Sequence, residues 1–147
     1  MNSDRVCIDA SLALTWLLSV QPVERADTLR RRWLKDGIEL IGPPLFRAEV
    51  TSVLREEVYF KRLTREEGEE AFRLYAIIPI RIVNNQAIYR KAWELAGEHN
   101  QHRTYDMQYL AVAELEDCAF WTLDKKLVHA MRGKNPRLKW VGEHDQR

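Results

Sequence analysis

The sequence of 147 residues predicts an α/β domain in which helices cover both faces of a parallel sheet. Short apolar runs typical of buried strands alternate with longer stretches of helical period, and parallel strands need such crossovers. Hydrophobic residues make up 46% of the chain, which is enough for a core and disfavours disordered or fibrous classes. Since no internal repeat, low-complexity tract or linker divides the sequence, we expect a single domain over residues 1–147.

The elements can be assigned in order along the chain. Strands are predicted over residues 5–9, 38–41, 80–83, 119–123 and 138–141. Helices are predicted over residues 12–18, 23–35, 45–61, 66–77, 87–99, 105–117 and 125–132. Ser11 is a candidate N-cap of the first helix, and Thr64 with Glu67 forms a capping-box pattern. Asn100 and Thr104 mark the break between two consecutive helices.

Composition excludes several classes of protein. The net charge is +1, from 23 basic and 22 acidic residues, which argues against a histone-like binder but allows a nucleic-acid enzyme with an acidic site. Because no apolar run approaches 18 residues and the first residues lack a signal peptide's apolar stretch, we expect a soluble, cytoplasmic protein without membrane association. Cys7 and Cys118 lie in apolar segments and are predicted to be buried free thiols.

Two acidic residues directly follow predicted strands. Asp9 ends the first apolar run, and Asp124 follows the strand predicted over 119–123. In an open parallel sheet, binding sites form outside the carboxyl ends of the strands. Aspartate is also a preferred N-cap of the next helix, so for each residue alone both interpretations stay open.

Two further acidic residues lie on the apolar faces of predicted helices. Glu49 falls within the apolar stripe of the helix over 45–61, and Asp106 shares a face with Tyr109 and Leu110. A carboxylate that faces a core is costly unless it is paired or binds a cation, although Asp106 also suits the first turn of a helix. Together with Asp9 and Asp124, these residues suggest one site for Mg²⁺ or Mn²⁺, which prefer oxygen ligands and serve phosphoryl chemistry.

Four stretches of the sequence are similar to the motifs of one family. They are VCIDASLAL at 6–14, PLFRAEV at 44–50, TYDMQYLA at 104–111 and WTLDKKL at 121–127, and each carries one of the four acidic residues. In these stretches the chain resembles PIN-domain ribonucleases, specifically the VapC-like toxins of type II toxin–antitoxin modules. The resemblance extends from about residue 6 to residue 141. One position departs from the family pattern, because Ser52 stands where members commonly carry asparagine.

The resemblance implies a fold, an activity and partners. The fold is a three-layer α/β/α sandwich on a parallel sheet, and the activity is that of an endoribonuclease on single-stranded or loop RNA. Mg²⁺ (or Mn²⁺) is bound by Asp9, Glu49, Asp106 and Asp124, with assistance from Thr122. The implied partners are a cognate small antitoxin and a second copy of the chain in a homodimer.

A polyanionic substrate needs basic residues beside an acidic centre. Residues 125–147 contain seven basic and two acidic residues, a net +5, whereas residues 1–124 carry a net −4. Lys125 and Lys126 are therefore candidate substrate contacts, although the basic segment can equally be an ordinary solvated face. Ser52, at the position where the family commonly carries asparagine, is a further candidate substrate contact. The alternative function is a non-catalytic PIN-like module that binds RNA or protein.

Overall fold

A computed structural model of the chain describes residues 1–18, 23–131 and 133–142, and it confirms the predicted fold class. Within this part of the chain, five strands form one sheet in which every pairing is parallel. The strands are β1 (Arg5–Ile8), β2 (Glu39–Gly42), β3 (Ile80–Ile82), β4 (Ala119–Thr122) and β5 (Leu138–Trp140). Their spatial order is β3-β2-β1-β4-β5, so β1 is the central strand.

The helices form two layers, one on each face of the sheet. They are α1 (Ala10–Leu17), α2 (Glu24–Asp36), α3 (Leu45–Tyr59), α4 (Arg65–Ala76), α5 (Ala87–Glu98), α6 (Tyr105–Leu115) and α7 (Lys125–Met131). Helix α1 packs against α2, α3 and α4, whereas α5 packs against α6, which lies on β1, β2 and β4. Helix α7 packs against β5. Among the described helices, none is long and apolar enough to cross a bilayer.

The central strand is apolar because helices cover it on both sides. Cys7 and Ile8 of β1 are completely buried, as is Cys118 just before β4. Both cysteines are free thiols inside the core, which confirms their predicted role as small buried side chains.

The starts of the helices agree with the prediction to within two residues, and the capping residues differ in one case. Helix α1 begins at Ala10 with Asp9 as its N-cap, so the prediction of Ser11 in that position is wrong. Helix α6 begins at Tyr105 as predicted, directly after Thr104, whose side chain makes no capping hydrogen bond. The capping box of Thr64 and Glu67 at the start of α4 is confirmed in both of its hydrogen bonds. The predicted end of the last helix at Arg132 lies outside the described residues.

Candidate active site

The strand order reverses between β1 and β4, which makes this position the topological switch point of the sheet. An open parallel sheet forms its binding crevice at its switch point. The chain adds β2 and β3 on one side of β1, then crosses to place β4 and β5 on the other side. Ile8 at the end of β1 pairs with Trp121 of β4, so the residues that follow the two strands are neighbours. Asp9 follows β1 directly, and Asp124 lies two residues beyond β4.

Asp9 is buried and held by three hydrogen bonds. Its Oδ1 accepts from the backbone N–H of Leu12 at 3.1 Å and from the Ser11 hydroxyl at 2.6 Å. Its Oδ2 accepts from the Thr122 hydroxyl of β4 at 2.5 Å. The bond to Leu12 is an N-cap bond, so the capping interpretation of Asp9 is correct as far as Oδ1 is concerned. The bond from Thr122 comes from another strand and fixes the direction of the carboxylate.

Ser11 and Thr122 join the ends of the two strands. The Ser11 oxygen accepts from the N–H of Leu123 at 3.1 Å, and the Thr122 oxygen accepts from the N–H of Asp124 at 2.9 Å. Each hydroxyl therefore donates to Asp9 and accepts from the backbone after β4. Sequence reasoning gave Ser11 only a capping role. Ser11 lies two residues after Asp9, and Thr122 lies two residues before Asp124. This matching spacing is the feature of the sequence that indicates a role for Ser11 in the site.

Asp124 is half-buried at the start of α7. Its Oδ1 accepts from the N–H of Leu127 at 3.1 Å, which is again a capping bond. Both acidic residues at strand ends thus cap the next helix with one oxygen.

Glu49 reaches the same region from α3. It is half-buried, and its Oε1 accepts a short hydrogen bond from the hydroxyl of Tyr109 on α6. Tyr109 is 1% exposed and stacks on Phe120 of β4 with ring centroids 5.6 Å apart. The helical period places Tyr109 on the face of Asp106, but it does not predict the contact of Tyr109 with Glu49, which lies 60 residues away in the chain.

Asp106 lies in the first turn of α6 and is half-buried. It is close enough to the other three acidic residues to interact with each of them electrostatically. Its charge raises the pKa of Asp9 and of Glu49, and the charge of Asp124 raises the pKa of Asp106. Asp106 is therefore the common neighbour of this acidic cluster, defined as Asp9, Glu49, Asp106 and Asp124.

Burial is the main cause of the raised pKa values in the acidic cluster. It raises the pKa of Asp9 to about 6 against the hydrogen bonds from Ser11, Thr122 and Leu12, which lower it. Burial likewise raises the pKa of Glu49 and of Asp106 above their ordinary values. In the described part of the chain, no Lys or Arg forms a salt bridge with any member of the cluster. The cluster thus concentrates negative charge without a basic partner.

The chemistry of the donor set fits a hard divalent cation. All four side chains offer carboxylate oxygens, and mutual repulsion gives them a reason to bind positive charge. In the described residues, however, no three of these side chains already meet as a ready-made ligand group. Asp9 accepts hydrogen bonds within the protein on both carboxylate oxygens, and Glu49 and Asp124 each accept one on a single oxygen.

The three candidate substrate contacts all lie on the surface. Lys125 and Lys126 begin α7 directly after Asp124 and, with His129 and Ala130, line an open groove of about 670 Å³. The Lys125 ammonium lies 5.8 Å from the centre of the Trp140 ring. Ser52 is exposed one turn after Glu49 on α3, and its hydroxyl makes no hydrogen bond to any described residue.

Known proteins resemble the chain at the level of a family and of a fold. A family model described as the PIN domain matches residues 6–132. No curated protein matches the sequence significantly. The crystal structure of PAE2754 from Pyrobaculum aerophilum is similar with a TM-score of 0.63 and 16% identity, over 93% of this chain and 90% of that one. The structure of VapC20 from Mycobacterium tuberculosis, described as a sarcin–ricin loop cleaving toxin, is similar with a TM-score of 0.59 and 15% identity, over 85% of this chain and 94% of that one.

At 15–16% identity, the two solved structures establish the fold. The family model goes further, because its match covers both strands at the switch point and all four acidic residues. This confirms the family that the four sequence stretches indicated. The chain belongs to the PIN-domain family.

Proposed function

We propose that this protein is a metal-dependent endoribonuclease that cleaves single-stranded or loop RNA and acts as the toxin of a toxin–antitoxin pair. The observation that carries the proposal is the acidic cluster, in which four carboxylates from four separate segments interact electrostatically and form no salt bridge with a Lys or Arg of the described residues. Membership of the PIN-domain family supports a nuclease. The likeness to VapC20, a toxin that cleaves an RNA loop, supports the class of substrate.

In the proposed site, Asp9, Glu49, Asp106 and Asp124 hold Mg²⁺ or Mn²⁺. A divalent cation held by these carboxylates would supply a water molecule of lowered pKa and positive charge beside the scissile phosphate. Asp9 is kept in one orientation by Ser11, Thr122 and the N–H of Leu12, so little reorganisation is needed when it ligates. Thr122 therefore acts through Asp9. No side chain of the protein has to serve as a nucleophile.

Lys125 and Lys126 are the proposed contacts of the RNA backbone. Their groove begins beside Asp124, and ammonium groups there offset the repulsion between the acidic cluster and a polyanion. Ser52 is a weaker candidate, since its exposed hydroxyl can donate to RNA one turn away from Glu49.

The proposal extends to partners and to a location. A toxin of this kind is held inactive by a cognate small antitoxin, and the family resemblance adds a homodimer. Cleavage of cellular RNA takes place in the cytoplasm. Growth arrest on expression without the antitoxin, relieved by co-expression of an adjacent short reading frame, would support this part of the proposal.

A non-catalytic RNA- or protein-binding module is the second candidate. One observation favours it: the described carboxylates do not already form a ligand group of three, and two of them cap helices. Such a module would bind RNA without cleaving it, and a divalent cation would have no effect on its stability.

Cleavage of a labelled RNA hairpin in the presence of a divalent metal or a chelator separates the two functions. The purified protein is expected to cleave the loop with Mg²⁺ or Mn²⁺ and to stop when the metal is removed. Undiminished cleavage in excess chelator contradicts a metal enzyme. Tight binding without cleavage, in every metal used, supports the binding module.

A further inference from the structure

We propose that Tyr109 is a positioning residue, which orients Glu49 so that one carboxylate oxygen stays available to a divalent cation. This inference rests on the proposed function, and it assigns a role to a buried residue outside the four acidic positions. It follows from where the Tyr109 ring is fixed, from which oxygen it occupies, and from a comparison with a second buried tyrosine.

The Tyr109 ring is buried and stacked on a neighbouring ring, and the backbone that carries it is hydrogen-bonded to the core. It is 1% exposed and stacks on Phe120 with an angle of 14° between the ring planes. The carbonyl of Tyr109 also accepts a hydrogen bond from the Cys7 thiol at 3.4 Å. Because α6 also packs directly against β1 and β4, the Tyr109 hydroxyl has little freedom to move away from Glu49.

Glu49, by contrast, is a long side chain on the opposite helical layer. A glutamate has three side-chain torsions, and a free carboxylate on α3 would sample several positions. The Tyr109 hydroxyl donates to Oε1, and in the described part of the chain Oε2 has no hydrogen-bond partner. The contact therefore removes conformational freedom from Glu49 while leaving one oxygen to ligate. A donor to a ligating carboxylate typically changes metal affinity by about 10–100-fold.

Tyr75 shows that this arrangement is more than the satisfaction of a buried hydroxyl. Tyr75 is 7% exposed, and its hydroxyl also contacts α3, where it accepts a hydrogen bond from Arg47 at 3.1 Å. Both tyrosines thus join α3 to another helix through their hydroxyl groups. Of these two hydroxyl groups, only that of Tyr109 forms a hydrogen bond with an acidic residue of the described chain. Tyr75 is therefore a matched control for the loss of a buried hydroxyl against α3.

The test compares Tyr109→Phe and Tyr75→Phe in Mn²⁺ binding, measured by electron paramagnetic resonance of free Mn²⁺. Tyr109→Phe is expected to bind Mn²⁺ about tenfold more weakly than wild type, whereas Tyr75→Phe binds as wild type does. Raising the Mn²⁺ concentration should restore RNA cleavage by Tyr109→Phe to near the wild-type rate. In a Glu49→Gln background, Tyr109→Phe should weaken Mn²⁺ binding no further, because the carboxylate it positions is already gone.

Each outcome bears on the inference. Unchanged Mn²⁺ affinity in folded Tyr109→Phe overturns it, and so does an equal loss in Tyr75→Phe, which would indicate a general effect of α3 packing. If wild type cleaves RNA and Tyr109→Phe binds Mn²⁺ as tightly as wild type does, this inference is overturned and the proposed function stands. A wild type that binds no Mn²⁺ overturns the proposed function as well.

A measurement on the wild type avoids dependence on the folding of the variant. Mg²⁺ is titrated into protein carrying ¹³C at the tyrosine ring carbon that bears the hydroxyl. The Tyr109 signal is expected to shift with Mg²⁺ while the Tyr75 signal stays in place. A Tyr109 signal that ignores saturating Mg²⁺ contradicts the inference.

Discussion

The two ends of the sheet differ in whether their charged side chains are paired. At the amino-terminal end, Arg81 of β3 forms two hydrogen bonds of 3.0 Å to Glu39 of β2 and a third to Glu116. Arg5 at the start of β1 bonds to the same Glu116 at 3.1 Å. At the carboxyl-terminal end, the acidic cluster has no basic partner among the described residues. One end pairs its charges, and the other leaves them unpaired.

The pKa values follow this difference. Hydrogen bonding to Arg81 lowers the pKa of Glu39, whereas burial raises the pKa of Asp9, Glu49 and Asp106. A lowered carboxyl pKa means that the charged form favours the folded state, and a raised one means that it opposes folding. The paired end therefore links neighbouring strands, while the unpaired end costs stability. Buried, unpaired carboxylates that destabilise the fold at its switch point are expected to serve in binding a ligand.

The largest expected effect is the loss of activity in Asp9→Asn. Asparagine keeps the shape and can still accept the capping bond from Leu12, but it removes a negative charge aimed at the cation. RNA cleavage per folded molecule should fall at least about a hundredfold, and growth arrest on expression should be relieved. Circular dichroism checks the fold and a hairpin assay the rate. Full toxicity of a folded Asp9→Asn variant would place the effect in partner binding.

A smaller effect is expected from the basic groove. Lys125→Ala combined with Lys126→Ala should weaken binding of single-stranded RNA about tenfold. The slope of log affinity against log salt should fall by about 1.4, for two lost phosphate contacts. Arg32→Ala with Lys35→Ala removes the same charge from exposed positions on α2 and serves as the control. If both double variants lose the same affinity for RNA, the effect comes from the net charge of the protein and not from a contact in the groove.

The free energy of unfolding is expected to depend on pH because Asp9 is buried at the unpaired end of the sheet. In chelator, Asp9 of the folded protein keeps its proton up to a pH of about 6, whereas the unfolded chain loses it near the ordinary pKa of 3.8. The folded state therefore loses stability as pH rises through this window, on the order of 1–3 kcal/mol. Asp9→Asn should gain stability relative to wild type between pH 4 and pH 7, in urea unfolding with chelator. A difference that does not change with pH would contradict the buried, uncompensated state of Asp9.

The smallest effect is expected at the paired end. Arg81 is 43% exposed, so Arg81→Gln should reduce the free energy of unfolding by at most about 1 kcal/mol and leave RNA cleavage unchanged. Urea unfolding measures the first quantity and the hairpin assay the second. Strongly reduced cleavage in Arg81→Gln would mean that the two ends are coupled.

Much of this architecture is predictable because its signals are local. Apolar runs and helical periods give the elements, and the position of Asp9 and Asp124 after strands gives the edge at which they meet. The Thr64–Glu67 capping box is likewise contained in four residues. These features need no knowledge of how distant elements pack.

What could not be predicted depends on long-range packing. The bond from Tyr109 to Glu49 requires the relative placement of α3 and α6, which no periodicity reports. Ser11 was misassigned because Asp9 and Ser11 are both good N-caps, and only the register of β1 on β4 shows that Ser11 binds Leu123. The pairing of Arg81 with Glu39 and Glu116 also depends on strand order, since its members are 35 and 42 residues apart.

Whether the acidic cluster binds metal is measured most simply by thermal unfolding of wild type and Asp106→Asn, with and without Mn²⁺. RNA cleavage is measured on the same two proteins. Asp106 neighbours the other three acidic residues, and asparagine costs the helix only about 0.3–1 kcal/mol in its first turn. We predict that Mn²⁺ raises the melting temperature of wild type. Without metal, Asp106→Asn should melt at or above the wild-type temperature; with Mn²⁺ it should gain little and cleave at least about a hundredfold more slowly. A destabilised Asp106→Asn that keeps the Mn²⁺ response and near-normal cleavage would contradict the claim that the unpaired acids form the metal site.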